Sequence, residues 1–218
     1  DWPCDMSYQC YSLWSDAGVT VARTLGVPLI VEVNAPILLE QEQYRRLALH
    51  ERAEAIERAV FSQADGLVCV SSEVRDYAIT KGANPGRAII MGNAVDTTRF
   101  HAAVPPMDFG MPDGAFTIGF SGSLKLLHGV VVMMEAFGMI LRAAPQARLL
   151  VIGEGPERAR LENQIQSLGL ADRVWMPGFV DNPFAHMRHA SVYVLSSKVE
   201  GLPNTLIQAM ACQTPVVA

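Results

Sequence analysis

The chain has 218 residues, of which 50% are hydrophobic and 18% charged, with a net charge of -5. That is enough chain for one or two buried cores, and with no cluster of basic residues it excludes electrostatic capture of nucleic acid. The longest apolar stretch, Val130 to Leu141, is broken by Glu135 and Gly138 and is too short to cross a bilayer.

Residues 5 to 9 suit a short strand, and Ser15 to Leu25 a helix stopped by Gly26, Val27 and Pro28. Pro28 to Val33 reads as a strand ending at Asn34-Ala35-Pro36, because Pro36 biases its neighbour away from helix. Asn34 then sits at a strand's carboxyl end, where a turn-forming role and a cleft-lining role are equally open. From Glu40 to Gln63 the pattern is helical: Leu49, Ala53, Ile56 and Val60 share a face, while Glu42 with Arg46 and Glu54 with Arg58 are spaced i, i+4 on a solvated one. Gly66 to Val70 is the next strand, Ser71 or Ser72 an N-cap for a helix through Thr80, and Ala88 to Met91 a further strand.

His101 to Gly114 holds Pro105, Pro106 and Pro112 and two glycines, so it reads as a boundary; the domains are expected at 1–104 and 116–218, joined by a linker over 105–115. Beyond it strands and helices alternate. A strand at Phe116 to Phe120 is followed by Val130 to Ala143, Arg148 to Ile152, Glu157 to Leu168, Arg173 to Met176, Pro183 to His189 and Ala190 to Leu195. That order predicts a parallel α/β domain. The four cysteines lack paired metal spacing, and Cys69 lies in an apolar strand, so all four read as reduced thiols. No hydrolase or zinc-protease motif occurs, and the five histidines are scattered.

Two glycine-bearing turns and the last nineteen residues carry the chemistry. The turn Ser121-Gly122-Ser123-Leu124-Lys125-Leu126-Leu127-His128-Gly129 follows the first strand of the second unit and opens a helix. Such a turn lets a phosphate approach, and Lys125 is the only fixed cation in it. Gly153-Glu154-Gly155-Pro156-Glu157-Arg158 follows another strand, but the third glycine of a dinucleotide fingerprint is replaced by Arg158, which argues against a nicotinamide oxidoreductase. The terminal stretch, EGLPNTLIQAMACQTPVVA from Glu200, puts an acidic residue between a buried strand and a helix, with Pro203 suited to that helix's first turn and good helix formers following from Thr205 to Ala211. Ligands of open α/β sheets bind beyond the strands' carboxyl ends, so Glu200, the amides of Gly201 to Asn204 and the side chain of Gln208 are candidates to face one ligand there.

That terminal pattern resembles the signature of retaining glycosyltransferases of family 4, which have the two-domain GT-B fold, and the run Asn93, Val95, Asp96 and Phe100 is similar to that family's inter-domain motif. The resemblance implies an α/β fold of two Rossmann-like domains, both incomplete in this chain, which is expected to be a fragment. It implies transfer of a sugar from a nucleotide-diphosphate sugar to a glycan or lipid-linked acceptor with retention of configuration. No metal or other cofactor is implied, the sugar nucleotide being the co-substrate. By the same resemblance Glu200 holds the donor sugar as the catalytic carboxylate. Gly122, Ser123, Lys125, His128, Gly153, Phe179, Val180, Gly201, Leu202, Pro203, Asn204, Thr205 and Gln208 form the donor site, with Gln208 on the ribose. Asn34 lies on the acceptor side, where relatives often carry His. The chain departs from the pattern in having Gln208 for Glu, Gln213 for Gly, and Ser123 and His128 where Arg and Lys are common. The alternative is a non-catalytic relative that kept the nucleotide-sugar site. The resemblance further implies a cytoplasmic site of action, with peripheral membrane contact where the acceptor is lipid-linked.

Overall fold

The computed structural model describes residues 4–44, 47–110 and 114–218, so Arg46 and Pro112 lie outside the described residues. The chain forms two compact units, residues 1–93 with 200–202, and residues 94–199 with 203–218.

In the first unit β1 (Ser7–Cys10), β2 (Leu29–Val33), β3 (Gly66–Cys69) and β4 (Ala88–Ile90) form a parallel sheet in that order. Alternation sets its core: Leu29, Val31 and Val33 are buried together with Leu67 and Cys69, packed under helices α1 (Ala17–Leu25), α3 (His50–Gln63) and α4 (Ser72–Thr80). Gly26 ends α1 in the left-handed conformation, and the Ser71 hydroxyl caps α4 by accepting from the Val74 amide at 3.3 Å.

The single helix expected over Glu40 to Gln63 is two. A separate α2 (Ile37–Tyr44) starts directly after Pro36, and Leu49, expected on the buried face, is a non-helical residue (φ -127°, ψ 57°) with 56% exposure. The reason lies in packing: Leu38 of α2 and Ala53 of α3 are buried together with Leu13, so the chain folds back where a continuous rod would carry Leu38 away. The solvated-face reading holds for Glu54 and Arg58, paired at 3.1 Å, while Glu57, on the face of Ala53 and Val60, is fully buried with them.

In the second unit five parallel strands run β7 (Val174–Gly178), β6 (Arg148–Ile152), β5 (Thr117–Ser121), β8 (Val192–Val194) and β9 (Val216–Val217). The order reverses between β5 and β8. Helix α5 (Val130–Ala143) lays Val130, Met133, Met134 and Phe137 on Phe120, Leu149 and Val151, with Leu161 of α6 (Arg158–Ser167) in the same cluster. With the 3-10 turn before it, Leu126 to Ala143 is long and apolar enough by length and composition to cross a membrane, which the interrupted run in the sequence concealed; here one face of it is core. Helices α7 (Pro183–His189) and α8 (Asn204–Ala211) pack with β8 through Met187, Tyr193, Ala209 and Cys212.

The expected boundary moves. Residues 94–104 belong to the second unit, because Phe100 is buried among Met187, Tyr193 and Cys212. The segment read as a linker is also docked there: the Met107 amide donates to the Ala185 carbonyl at 3.0 Å, and the Phe109 ring stands 4.9 Å from that of His186.

Candidate functional site

Because β7, β6 and β5 are successive neighbours in the second parallel sheet, the turns after them stand side by side at the strands' carboxyl ends, next to the order reversal between β5 and β8. They enclose a cavity of about 340 Å³ lined by Ser121, Gly122, Ser123, Ile152, Gly153, Glu154, Phe179, Val180 and Pro183. Five residues singled out from the sequence, Gly122, Ser123, Gly153, Phe179 and Val180, thus meet around one space.

The turns are bound to one another. The Gly122 amide donates to the Ile152 carbonyl at 3.0 Å, the Gly153 amide to Gly178 at 2.8 Å and the Leu124 amide to Glu154 at 2.9 Å. Gly153 sits at φ 131°, and a Cβ there would lie 1.9 Å from the Gly122 carbonyl oxygen, so a side chain at 153 would force the turns apart. Since the amides of Gly122 and Gly153 already have partners, what these glycines offer a ligand is room. Glu154 lines the cavity with Oε1 held at 2.7 Å by Arg158 Nη1, while Arg158 Nη2 donates to the Met176 carbonyl at 3.1 Å. One carboxylate and one aromatic, Phe179 at 76% exposure, therefore stand at the cavity wall.

A second group crosses the reversal point between β5 and β8. Ser123 Oγ lies 3.2 Å from His128 Nε2, and Ser197 Oγ lies 3.3 Å from His128 Nδ1. The Ser196 hydroxyl donates to the His128 carbonyl at 2.7 Å, and the Lys198 amide to the Leu127 carbonyl at 2.8 Å. Below them the Tyr193 hydroxyl, buried on β8, donates to the Ser121 carbonyl at 2.9 Å.

Lys125, expected on the diphosphate, does not line this cavity. In the extended turn Leu124 is fully buried, so Lys125 points the other way, into a space of about 260 Å³ shared with Glu157, Arg160 and Lys198. Pro203, expected in the helix's first turn, stands just before α8 and makes no side-chain cap hydrogen bond, with Asn204 and Thr205 opening the helix and Gln208 in its second turn. Glu200, Gly201 and Leu202 group with the first unit, where Asn93 Nδ2 donates to the Leu202 carbonyl at 2.7 Å. Asn34, also in the first unit, is bonded through Nδ2 to Glu32 Oε1 at 3.0 Å and to Cys10 Sγ at 3.3 Å. Glu32 in turn accepts from the Tyr8 hydroxyl at 2.6 Å; these bonds hold its carboxyl below the usual range and push Tyr8 up to about 12.

Residues 107–218 match the family model described as "Glycosyl transferases group 1", and residues 8–99 match the one described as "Glycosyltransferase Family 4". The chain belongs to this glycosyltransferase family. Among the family's curated members, a 2-deoxystreptamine glucosyltransferase of Streptomyces kanamyceticus is 29% identical over 232 residues, covering 100% of this chain and 60% of its own. A D-inositol 3-phosphate glycosyltransferase of Segniliparus rotundus is 27% identical, covering 100% of this chain and 51% of its own. The chain therefore spans about half to three fifths of the length of such relatives. In fold it is similar to Anabaena HepE, solved in complex with UDP and glucose (TM-score 0.76, 19% identity, 92% of this chain and 55% of that one). It is similar also to the sucrose-phosphate synthase of Thermosynechococcus elongatus (TM-score 0.78, 22% identity, 97% of this chain and 55% of that one). Both are GT-B neighbours of a chain built from two parallel, Rossmann-like sheets.

Against the family signature, one departure has a visible consequence. Gln213, where the family usually has Gly, follows the end of α8 at φ 58°, the sole positive-φ non-glycine among the described residues. Four residues escaped the sequence reading. Glu154 was passed over inside its glycine turn, and Tyr193, Ser196 and Ser197 lie on a strand and its exit, where position beyond a carboxyl end was the available signal.

Proposed function

We propose that the complete protein transfers a sugar from a nucleotide-diphosphate sugar to an acceptor with retention of configuration, the acceptor being a glycan or a lipid-linked molecule. The observation that carries this reading is the cavity at the carboxyl ends of β5, β6 and β7, where Gly122, Ser123, Gly153, Phe179 and Val180 converge beside the order reversal. It suits a nucleoside: the glycine turns give close access, and Phe179 and Val180, which line the cavity, are assigned to the base. The UDP bound in the structural neighbour HepE favours a uridine nucleotide.

Chemically, departure of the diphosphate leaves the anomeric carbon with oxocarbenium character, and fixed donors must hold the charge that leaves. Ser123, His128 and the N-terminal amides of α8 at Asn204 and Thr205 are assigned to that task. Glu200 is assigned to the donor sugar, Gln208 to the ribose and Asn34 to the acceptor side. Action at the inner face of a membrane goes with a lipid-linked acceptor. A second reading, a binding protein without turnover, is favoured by Gln208, since a neutral amide accepts hydrogen bonds less strongly than the carboxylate it replaces.

The test is thermal melting of the full-length protein with UDP, GDP and ADP, together with donor turnover in the parent and in Glu200→Ala. A nucleotide at about 100 times its Kd adds roughly 2.7 kcal/mol, a rise of several degrees. One of the three should produce it. No shift from any of them refutes the nucleotide site, and binding without turnover of any donor hands the case to the second reading.

A further inference from the structure

In the first sheet, parallel register sets Cys10 of β1 opposite Glu32 of β2 and Tyr8 opposite Ile30. Leu29, Val31 and Val33 take the core face, so by the two-residue period of a strand Glu32 turns to the other one, and Asn34 follows at the strand's carboxyl end. Tyr8 and Cys10, the exposed positions of β1, stand beside them. The segment Glu200–Leu202 meets the same end of β2. A Cβ on Gly201 would lie 2.1 Å from the Asn34 carbonyl oxygen, and Leu202 packs on the core of the first unit. The residue assigned to the donor sugar, Glu200, is thus next in the chain to one that touches Asn34.

The polar hydrogens of this cluster are spent inside it. The Tyr8 hydroxyl donates to Glu32 Oε2 at 2.6 Å, and Asn34 Nδ2 donates to Glu32 Oε1 at 3.0 Å and to Cys10 Sγ at 3.3 Å. Only the weak S–H of Cys10 is left to give. What the cluster offers outward is acceptors: Asn34 Oδ1, the Tyr8 oxygen and a further lone-pair site on each oxygen of Glu32. The bonds from Tyr8 and Asn34 hold the Glu32 carboxyl below its usual range, so it is charged at neutral pH, and no lysine, arginine or histidine among the described residues pairs with it. Tyr8 is 55% exposed, which leaves an aromatic ring beside that charge. A ligand hydroxyl finds acceptors for its hydrogen there but hardly a donor for its oxygen. An ammonium brings three donors and needs none in return, and it is drawn to a neighbouring aromatic face as well.

Resting on the assignment of Asn34 to the acceptor side, we infer that the acceptor is an amine-bearing sugar whose ammonium seats on Glu32, flanked by Asn34 Oδ1 and the Tyr8 ring. Glu32 is then the residue that selects an amino over a hydroxy acceptor. The selection works through charge, because a charge-assisted hydrogen bond is about twice as strong as a neutral one, and salt weakens it at an exposed carboxylate. Gly201 keeps the seat in contact with the segment that carries Glu200.

The test uses the full-length protein saturated with UDP and two matched pairs of probes, the methyl glycosides of glucosamine and glucose and of galactosamine and galactose. Each is titrated by ligand-observed NMR at about pH 6.5, where a sugar amine is protonated and Glu32 is charged. In at least one pair the parent should bind the amino member about fivefold to tenfold tighter than its hydroxy partner. Glu32→Gln keeps the shape and removes the charge. It should abolish the preference and leave the hydroxy member within about twofold of its parent affinity. A purely structural role for Glu32, holding Asn34 in place, would weaken both members by one factor and preserve the preference, which overturns the inference. So does a parent that binds the two members of each pair equally, or one that binds UDP and none of the four glycosides; in both cases the donor site stands. If UDP itself does not bind, the transferase reading falls and the inference with it. Should Glu32→Gln fail to melt cooperatively, salt decides in the parent: raising it from about 50 mM to about 500 mM should erode the preference for the amino member, and a preference indifferent to salt contradicts an ion pair.

Discussion

Glu57 is the residue in the first unit whose chemistry departs furthest from its pattern. It is spaced four residues after Ala53 and three before Val60, on the apolar face of α3, and its side chain is fully buried, with Oε1 accepting from the Tyr11 hydroxyl at 2.9 Å and from the Tyr77 hydroxyl at 2.8 Å. Lys81 Nζ stands 3.8 Å from Oε2. Burial pushes the Glu57 carboxyl above the usual carboxylate range, against the pull of both phenols and of Lys81, and burial beside Glu57 pushes Tyr11 and Tyr77 up as well. Because the folded value is raised, the native state holds the extra proton above the ordinary carboxylate pKa, and stability falls as pH rises through the folded one. Glu57→Gln removes that dependence, so chemical denaturation should show the parent losing ground to this variant between about pH 4 and pH 7. Glu57→Ala leaves two buried hydroxyls without their acceptor and should cost about 2–4 kcal/mol at any pH. Equal stability of Glu57→Ala and the parent would mean that water replaces the carboxylate. Helical spacing puts Glu57 on the buried face but does not show what satisfies it there, because Tyr11 and Tyr77 arrive from other elements.

At the scale of elements, the end of α8 concentrates the cost of a single departure. After Cys212 the chain must reverse toward β9: the Gln213 amide reaches the Met210 carbonyl at 2.9 Å and the Thr214 amide the Ala209 carbonyl at 3.0 Å. That closure requires the left-handed conformation at Gln213, which glycine adopts without the crowding a Cβ imposes. Gln213→Gly should stabilise the fold by about 0.5–1 kcal/mol, the relief of strain exceeding the added freedom of the unfolded chain, and raise Tm by about 1–4 °C. A lower Tm would show that the Gln213 side chain contributes more than its backbone costs. Legibility followed the same logic. In the second unit α5, β6 and α7 run as their patterns foretold, because buried parallel strands are short apolar runs and their turns carry Gly or Pro. The break between α2 and α3 was illegible, since apolar residues continue across it at Leu47 and Leu49 and no glycine or proline marks it. The two glycine turns were legible as turns between a strand and a helix, which is where the structure has them. Lys125 lies outside the cavity because an extended turn alternates sides, and Leu124 takes the inner one.

At the scale of the molecule, the expectation of two Rossmann-like units held in outline, while the boundary shifted to Asn93 and Ala94 because Phe100 is anchored in the second core. The acceptor assignment rests on Asn34 in the first unit and the donor assignment on the turns of the second. The central claim is that the cavity between those turns takes the nucleotide. Peptide-resolved hydrogen exchange of the full-length protein with and without saturating UDP tests it most directly. Protection should appear over 121–124, 152–155 and 179–183, the three turns that line the cavity. UDP bound without slowing exchange in these turns, with protection confined to other segments, would contradict the account.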